Sequence, residues 1–486
     1  MVEPEPQEPV QDPPGRAGWV VRRLLPFALV TGVLALVVRS AAAPLSNYDT
    51  YFHLRLGHEF ATGAWSVRDP GSVTGFATAD WVPTQWLPQV VMARTEDWFG
   101  LAGVAWLAGL LFVTLAVTFY VVARRRADPL VVAPLVILAL GACTAGLSMR
   151  PQVISYVLVA VTVSAWLRAL ETHRTPWFLV PLTWLWAMCH GMWPVGIVIG
   201  AVVVVGALLD RRADAGLRMA AVPVLSALAA CATPVGPELV RAVVLVSSRG
   251  DYFTEWGPPD FTQADTLALL ALLAVTTVIL VRRSGSTWVE VLLVGLAAAW
   301  AVYSVRTVPV AAAMLVPLAA VRVQQLVGPR SPSTALERRC VAGAAVAALA
   351  VLAVQVPHTS DEPLAQPAWV DQELSALPAG TPVLTDVGYG GYVMWRFPQL
   401  ELVGHGYGDM FTDAELDRVV TISALRPGWV DVVKDTGVRH AVLDPDTALA
   451  YALRDLAGWR VVEDSPDLQL LEPPPDWDSS PVTGGE

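Results

Sequence analysis

Asp49 and His53 are the residues of this sequence whose types and spacing best suit chemistry. They occur in Ser-Asn-Tyr-Asp-Thr-Tyr-Phe-His-Leu-Arg (46–55), directly after the first apolar run of membrane length. Residues four apart share one face of a helix, so the carboxylate and the imidazole would project beside Phe52 and Leu56. A surface helix separates its charges from its apolar stripe, and here the two polar groups interrupt that stripe. We therefore predict that the pair faces protein, where a carboxylate can act as a general base.

The composition indicates a protein that crosses a membrane many times. Of its 486 residues, 54% are hydrophobic and 15% charged, and the mean hydropathy is +0.51. The net charge of −11 argues against a nucleic-acid partner. The four cysteines lie in or beside apolar segments, which is typical of core residues and not of a disulfide or zinc framework. We predict a disordered cytoplasmic N-terminus at 1–18 and, after Arg22-Arg23, an apolar run long enough to remain as an anchor.

Eleven apolar segments match the thickness of a bilayer. We predict spans at roughly 24–42, 101–123, 128–147, 152–170, 176–190, 193–209, 217–234, 265–281, 286–304, 308–326 and 339–356. Every second loop is basic, and the positive-inside rule then places the N-terminus in the cytoplasm of a plasma-membrane protein and the tail outside. Residues 176–209 are predicted to form two helices, because only a pair keeps the arginine clusters on one side.

The remaining unusual residues gather at the opposite, outer face. They are the first external loop at 43–100, Arg150, His190, Glu255 and Arg306. Loops as long as 43–100 are often functional. Arg150 and Arg306 border the bilayer on the face where arginine is less frequent, and a guanidinium there suits a lipid-linked phosphate. Snorkelling at the interface is the alternative interpretation.

The tail changes character from about residue 364 and has the pattern of a soluble α/β domain. Strand-like runs alternate with helical patterns: Pro382-Val-Leu-Thr, Leu400-Glu-Leu-Val and His440-Ala-Val-Leu, with helices at 411–424, 428–436 and 447–457. We predict a polytopic domain over 19–356 and an extracytoplasmic α/β domain over 357–486 with a disordered C-terminal end. The fold class predicted is therefore a mainly α membrane protein of about 11 transmembrane helices with this α/β domain at its C-terminus.

The outer-face residues resemble those of bacterial membrane glycosyltransferases of the GT-C class. The resemblance rests on Asp-Thr-Tyr-Phe-His-Leu-Arg (49–55), Arg68-Asp69-Pro70, Trp81-Val-Pro-Thr-Gln-Trp-Leu (81–87), Arg150-Pro151-Gln152, His190-Gly191, Glu255-Trp256, Arg306, Gly390-Gly391-Tyr392 and Pro427-Gly428-Trp429. It covers most of the chain from about 45 to 470 in a fairly specific order. It implies an inverting transferase that takes a sugar from a polyprenyl-phosphate carrier, with an early acidic residue near the catalytic centre.

Three residues of the first external loop form the predicted catalytic set. Asp49 is expected to act as base or metal anchor, and the alternative is that it caps a helix over 50–63. His53 is expected to assist or to orient Asp49. Asp69, a turn former before Pro70 by default, gains a catalytic or metal role from the resemblance. Asp49 and His53 are the candidate ligands of a divalent cation, Mg²⁺ or Mn²⁺, although no compact ligand set is evident in the sequence.

Five residues form the predicted substrate-binding set. Arg150 and Arg306 are expected to hold the donor phosphate. Glu255 is expected to contact sugar hydroxyls. His190 has packing or helix capping as its alternative, and Gln85 belongs to the set through its place in the loop motif. A separate expectation concerns Glu96-Asp97, which are predicted to lie on a solvated face.

One departure from the group's pattern bears on function. Members of the group often have His-Glu where this chain has Thr84-Gln85. If that pair carries metal binding or catalysis, this chain differs in acceptor, metal dependence or activity. A non-catalytic membrane scaffold or a degenerate relative that presents the tail is therefore the alternative function. A transporter is a third reading, disfavoured because no predicted span has paired ionisable residues at mid-bilayer. The partners predicted are a polyprenyl-phosphate-sugar donor, the lipid bilayer, and an envelope glycan, lipid or protein as acceptor.

Overall fold

The computed structural model describes residues 27–28, 31–39, 45–212, 216–358 and 366–477. The N-terminus predicted at 1–18, much of the first predicted span and the C-terminal end lie outside these ranges. In chain order the helices before the tail are α1 (Asp49–Thr62), α2 (Trp86–Arg124), α3 (Pro129–Ala142), α4 (Gln152–Thr172), α5 (Leu179–Cys189), α6 (Pro194–Leu209), α7 (Leu217–Cys231), α8 (Glu238–Ser248), α9 (Ala264–Arg282), α10 (Trp288–Tyr303), α11 (Val308–Val327) and α12 (Ala335–Gln355).

The apolar helices of this region correspond to the predicted membrane spans. Within the described ranges, five segments are long and apolar enough to cross a membrane: Trp86–Arg124, Gln152–Thr172, Ala264–Arg282, Val305–Val327 and Ala335–His358. Five shorter apolar helices, α3, α5, α6, α7 and α10, accompany them. Each predicted span from the second onward coincides with one of these ten helices, and α5 and α6 confirm the predicted pair. The total of eleven stays a prediction.

The first external loop is built on α1 and the first half of α2. The helix predicted near 49–63 is α1, and α2 begins at Trp86 and kinks at Gly100, whose φ is 62°. Both faces of α1 are covered, because Tyr51 on one side and His53 on the other are almost fully buried. The solvated face predicted for Glu96 is wrong: its carboxylate lies 2.9 Å from His58 Nε2. The physical reason is that the tail covers this part of α2.

The tail contains a five-stranded sheet with helices α13 to α17. Its elements are α13 (Ala368–Ala376), β1 (Pro382–Thr385), α14 (Gly390–Arg396), β2 (Glu401–Leu402), α15 (Asp413–Ser423), α16 (Trp429–Asp435), β3 (His440–Leu443), α17 (Ala448–Tyr451), β4 (Arg460–Asp464) and β5 (Gln469–Glu472). The strand order is β2-β1-β3-β5-β4. The three predicted strands pair in parallel, with β1 between the others. Two unpredicted antiparallel strands, β5 and β4, extend the sheet.

The tail packs directly onto α1. The ring of Tyr51 makes edge-to-face contact with Tyr392 at 5.2 Å between centroids, and Trp395 Nε1 donates to Glu96 at 3.0 Å. A glycine is required at 391 because a Cβ there would lie 2.5 Å from the carbonyl oxygen of Tyr48. These contacts place α1 between the membrane helices and the tail, so the predicted catalytic helix is an interface element.

Candidate functional site at the interface of the membrane helices and the tail

Asp49 opens α1 with its carboxylate directed at an arginine. The N-cap of the helix is Tyr48, and the amide of Asp49 donates to Asn47 Oδ1 at 2.9 Å, so the capping alternative for Asp49 is wrong. Asp49 Oδ2 lies 3.2 Å from Arg150 Nη2. Burial raises the pKa of Asp49; the charge of Arg150 opposes that rise, and the charge of Glu255 adds to it. A carboxylate with a raised pKa is a stronger base than an exposed aspartate.

Arg150, Glu255 and Arg306 form one ion-paired cluster with Asp49. Arg150 donates from both terminal nitrogens to Glu255, at 2.7 and 3.2 Å. Arg306 Nε lies 3.2 Å from Glu255 Oε2, and its guanidinium stacks 5.0 Å above the ring of Trp256. The four charged residues come from four distant segments of the sequence, all four are predicted site residues, and the structure brings them together.

The local backbone explains how these segments meet. Arg150 occupies a bend before Pro151, the N-cap of α4, and Thr50 Oγ1 of α1 donates to the neighbouring carbonyl of Met149 at 3.1 Å. The amide of Val305 donates to the carbonyl of Gly257 at 3.1 Å. The first hydrogen bond joins α1 to the segment of Arg150, and the second joins the segment of Arg306 to that of Glu255.

Glu255 holds the two arginines as an anion. Burial alone would raise the pKa of Glu255, but hydrogen bonds from Arg150 and the charges of Arg150 and Arg306 hold it below its usual range. The Nε of Arg306 makes no directed hydrogen bond among the described residues despite its short distance to Glu255. Arg306 thus keeps a buried N–H that can be satisfied by an anionic ligand.

His53 is buried behind Asp49 and is neutral. It is 2% exposed, and its Nδ1 lies 3.0 Å from Gln89 Nε2. Burial lowers the pKa of His53 well below its usual range, and the charge of Arg150 lowers it further. Because an amide nitrogen only donates, Nδ1 accepts and the ring proton resides on Nε2. Gln89, not identified in the sequence, fixes this tautomer.

His190 lies at the end of α5 with a comparable arrangement. Trp186 Nε1 donates to Ser155 Oγ at 2.8 Å, and that hydroxyl lies 2.9 Å from His190 Nδ1. The hydroxyl accepts from the indole and is hydrogen-bonded to Nδ1, so Ser155 and Trp186 orient the imidazole of His190. Burial lowers the pKa of His190 well below its usual range, and the charges of Arg306 and Arg150 add to that effect. The imidazole can act as a hydrogen-bond donor but not as a cation.

Two predicted residues do not join the cluster. Asp69 is exposed in the turn where its amide donates to the carbonyl of Ser66, and its carboxylate has no partner within the described part of the chain. Gln85 is the N-cap of α2 without a side-chain capping bond. Its neighbour Thr84 is buried, with its hydroxyl 3.9 Å from where a Cβ on Gly191 would lie. The Thr84-Gln85 departure therefore falls beside His190.

The sequence analysis missed a tail segment that reaches the site. In the loop after β2, a Cβ on Gly406 would lie 3.4 Å from Asp49 Oδ1. The ring of Tyr407 packs 5.1 Å from Phe52, and Asp409 follows in a 3-10 turn. The spaced glycines of Gly404-His-Gly-Tyr-Gly-Asp are the available signal in the sequence, and such glycines are typical of ordinary turns.

The donor set does not suit a divalent cation. Among the described residues, no group of three or more His, Cys, Asp or Glu side chains is arranged to hold a metal ion. The two carboxylates of the cluster, Asp49 and Glu255, are already paired with guanidinium groups. His53 uses Nδ1 as an acceptor for Gln89. A cation at this position would lie against Arg150 and Arg306, which Coulomb repulsion opposes.

Known structures share this architecture. No family model and no curated protein matches the sequence. The oligosaccharyltransferase of Archaeoglobus fulgidus tethered to an acceptor peptide aligns with a TM-score of 0.54 and 12% identity, covering 90% of this chain and 71% of that one. Its apo form aligns with a TM-score of 0.52 and 11% identity, covering 88% of this chain and 71% of that one. ArnT from Cupriavidus metallidurans bound to undecaprenyl phosphate aligns with a TM-score of 0.48 and 16% identity, covering 96% of this chain and 100% of that one. The chain therefore has the polytopic fold of GT-C membrane glycosyltransferases, as the sequence predicted.

Proposed function

We propose that this protein transfers a sugar from a polyprenyl-phosphate-linked donor to a cell-envelope acceptor with inversion at the anomeric carbon. The observation that carries the proposal is the cluster in which Asp49 contacts Arg150 and Glu255 holds both Arg150 and Arg306. The cluster combines a base of raised pKa with two cations in one site. Inverting glycosyl transfer needs this pairing, because the acceptor must lose a proton while the phosphate leaves from the other side.

Asp49 is the proposed general base. It takes the proton of the acceptor's hydroxyl or amino group as that atom forms a bond to the anomeric carbon. The bond between that carbon and the phosphate oxygen breaks at the same time, and the polyprenyl phosphate leaves with the electron pair. Only the charge that develops on the phosphate then needs stabilisation, and fixed guanidinium groups supply it without reorganisation.

Arg150 and Arg306 are the proposed phosphate ligands. Both are only partly exposed, and Arg306 has an N–H without a directed partner in the described part of the chain. Glu255 is the proposed positioning residue, because it holds the two guanidinium groups in the absence of donor. An arriving phosphate then replaces the carboxylate of Glu255 as their counter-ion. This role differs from the sugar contact expected from the sequence.

His53 and His190 are the proposed supports of this centre. Both are neutral, so each carries one ring N–H and can donate one hydrogen bond without adding charge. Asp69 has no place in this mechanism because the structure leaves its side chain exposed and apart from the cluster. Gln85 stays a predicted substrate contact near His190.

The proposed orientation places the cluster and the tail outside the cell and the N-terminus in the cytoplasm. Arg150 precedes α4, and Arg168 and Arg174 lie near its opposite end. Its 21 residues rise about 30 Å at 1.5 Å per residue, which is the thickness of a hydrocarbon core. The arginine-rich end is the cytoplasmic one under the positive-inside rule. The plasma membrane is the membrane proposed.

A non-catalytic scaffold is the second candidate, favoured by Thr84-Gln85 in place of His-Glu. An enzyme would release polyprenyl phosphate from the donor, and a scaffold would not. The full-length protein in nanodiscs would be given membrane-extracted lipid-linked sugars and envelope extract, and release of polyprenyl phosphate would be followed by mass spectrometry. Release by wild type but not by an Asp49→Asn variant of equal expression supports the enzyme. Equal signals from both proteins would overturn it.

A further inference from the structure

The loop after β2 brings an acidic side chain from the tail to the membrane-domain cluster. Residues 404–410 pass over α1, where Gly406 lies against Asp49 and the ring of Tyr407 meets that of Trp81 edge to face, with 5.3 Å between centroids. Two contacts then hold the end of the loop against the external segments. Arg249 donates to the carbonyl of Gly408 at 3.3 Å, and the amide of Ala79 donates to that of Met410 at 3.0 Å.

This loop is packed and not a free surface segment. A Cβ on Gly408 would lie 2.1 Å from the ring of Phe253, two residues before Glu255. Only glycine allows so close an approach between the loop and the segment that carries Glu255. The two neighbours of Asp409, Gly408 and Met410, are both buried. The backbone at Asp409 is therefore fixed relative to the cluster.

Asp409 has no protein partner in the part of the chain that the structure describes. Its carboxylate makes neither a hydrogen bond nor an ion pair there, although it is only partly exposed. Burial raises its pKa to about 6, and the charges of Arg306 and Arg249 oppose the rise. Arg249 is paired with Asp413 at 2.8 Å. Asp409 is thus an anion at neutral pH, and its acceptor sites are unused in the described part of the chain.

We propose that Asp409 accepts hydrogen bonds from hydroxyl groups of the sugar on the lipid-linked donor. A partly buried carboxylate without a partner requires hydrogen-bond donors, and a sugar ring offers several adjacent hydroxyls. The phosphate is excluded as its ligand by like charge. The acceptor is assigned to the Asp49 side, whereas Asp409 follows Gly408, which packs on Phe253 in the segment of Glu255, the residue that holds both phosphate ligands. This inference rests on the proposed function and makes the tail part of donor recognition.

The test compares lipids that differ only in the sugar. Full-length protein in nanodiscs would be titrated with undecaprenyl phosphate and with undecaprenyl phosphate bearing mannose, glucose or arabinose. We expect wild type to bind at least one sugar-bearing lipid on the order of tenfold more tightly than the bare lipid, because hydrogen bonds to charged groups are strong. Asp409→Asn should lose this gain and keep the affinity for undecaprenyl phosphate. Asp431→Asn, at an exposed tail acid, is the matched control.

The outcomes separate this inference from the proposed function. If wild type does not bind undecaprenyl phosphate, the proposed function fails and this inference with it. If wild type binds the bare lipid but gains nothing from any of the three sugars, or if Asp409→Asn keeps the gain, only the role of Asp409 is overturned. An unchanged unfolding temperature of Asp409→Asn shows that the loss does not come from misfolding. Asp409→Ala removes both acceptor oxygens, whereas Asn keeps one, and it should also lose the gain in affinity.

Discussion

Asp49 of α1 and Arg150 before α4 are joined by an ion pair of 3.2 Å although 101 positions separate them in the sequence. The pair links the loop at 43–100 to the residue directly before Pro151, the N-cap of a membrane helix. Arg150 also forms an ion pair with Glu255, at 2.7 Å. The proposed base and the proposed phosphate ligands are therefore one electrostatic unit, and substitutions within it should have separable effects.

Replacing Asp49 with Asn should reduce transfer by about 10²–10⁴-fold, because the amide cannot accept the acceptor's proton. Release of polyprenyl phosphate from nanodiscs at saturating donor measures this loss. Asp69→Asn is the matched control, since Asp69 lies in the same loop but is exposed and outside the cluster. A loss of comparable size in Asp69→Asn would restore the catalytic role that the sequence pattern gave it.

Glu255→Gln and Arg306→Gln should have opposite effects on phosphate binding. The amide no longer competes for the guanidinium groups, so Glu255→Gln should bind undecaprenyl phosphate at least as tightly as wild type. Arg306→Gln should bind it on the order of tenfold more weakly, since a charge-assisted hydrogen bond is lost. Titration in nanodiscs measures both. Weaker binding by Glu255→Gln would contradict the role of Glu255 as a replaceable counter-ion.

The rate should fall in acid at a higher pH than an ordinary aspartate would give. A base is active when ionised, so transfer is present above its pKa and lost as the pH drops through it. Burial raises the pKa of Asp49 against the charges of Arg150 and Arg306, with Glu255 adding to the rise. A kcat profile from about pH 4 to 8 would show this limb. Glu255→Gln should move it to lower pH, because a like charge is removed.

The Asp409→Asn variant separates the titration of Asp409 from that of Asp49, the two site acids with a raised pKa. Asp409, with a pKa raised to about 6, is assigned to donor binding. Its substitution should therefore alter the profile of kcat/KM and leave the acidic limb of kcat in place. A kcat limb that disappears in Asp409→Asn would assign the titration to Asp409 and not to Asp49.

Chelation should leave transfer unchanged. The carboxylates of Asp49 and Glu255 are paired with guanidinium groups, so the phosphate has cationic partners without a metal ion. The measurement is the release of polyprenyl phosphate after dialysis against EDTA, with and without added Mg²⁺ or Mn²⁺. A requirement for either ion would show that a ligand set forms only with donor bound.

Docking of the tail should be sensitive to one glycine. Gly391→Ala places a Cβ 2.5 Å from the carbonyl oxygen of Tyr48 and should destabilise the protein by about 1–3 kcal/mol. Gly343→Ala in α12 is the control, because no atom lies within 4 Å of its added Cβ. Thermal unfolding in detergent compares the two. Equal unfolding temperatures would mean that the tail contact contributes nothing to stability.

The sequence was sufficient for the parts of this protein that depend on local patterns. Hydropathy identified the apolar helices, and short apolar runs located β1 and β3. Charges that violated the positive-inside expectation, above all Arg150 and Arg306, led to the cluster. Burial of a charge in lipid or protein is energetically unfavourable, so an arginine at such a position is informative by itself.

The contacts between distant segments could not be predicted in the same way. Glu96 has the composition of a solvated helix face, yet Trp395 of the tail donates to it. The glycines around Asp409 were compatible with ordinary turns, and only the tertiary fold places them against Asp49 and Phe253. Nothing local distinguishes a turn that faces water from one that faces a site. The part of the site contributed by the tail was therefore missed.

Glu255 lies between two arginines, at the place that the proposed mechanism gives to the donor's phosphate. Any incoming anion must exchange with a carboxylate that is already well placed. Inorganic phosphate, which has no hydrocarbon chain to embed in the bilayer and no sugar to engage Asp409, gains little from that exchange. The ion pairs of Glu255 therefore disfavour the binding of free anions. Only an anion attached to both a lipid and a sugar gains enough from its other contacts to replace the carboxylate readily.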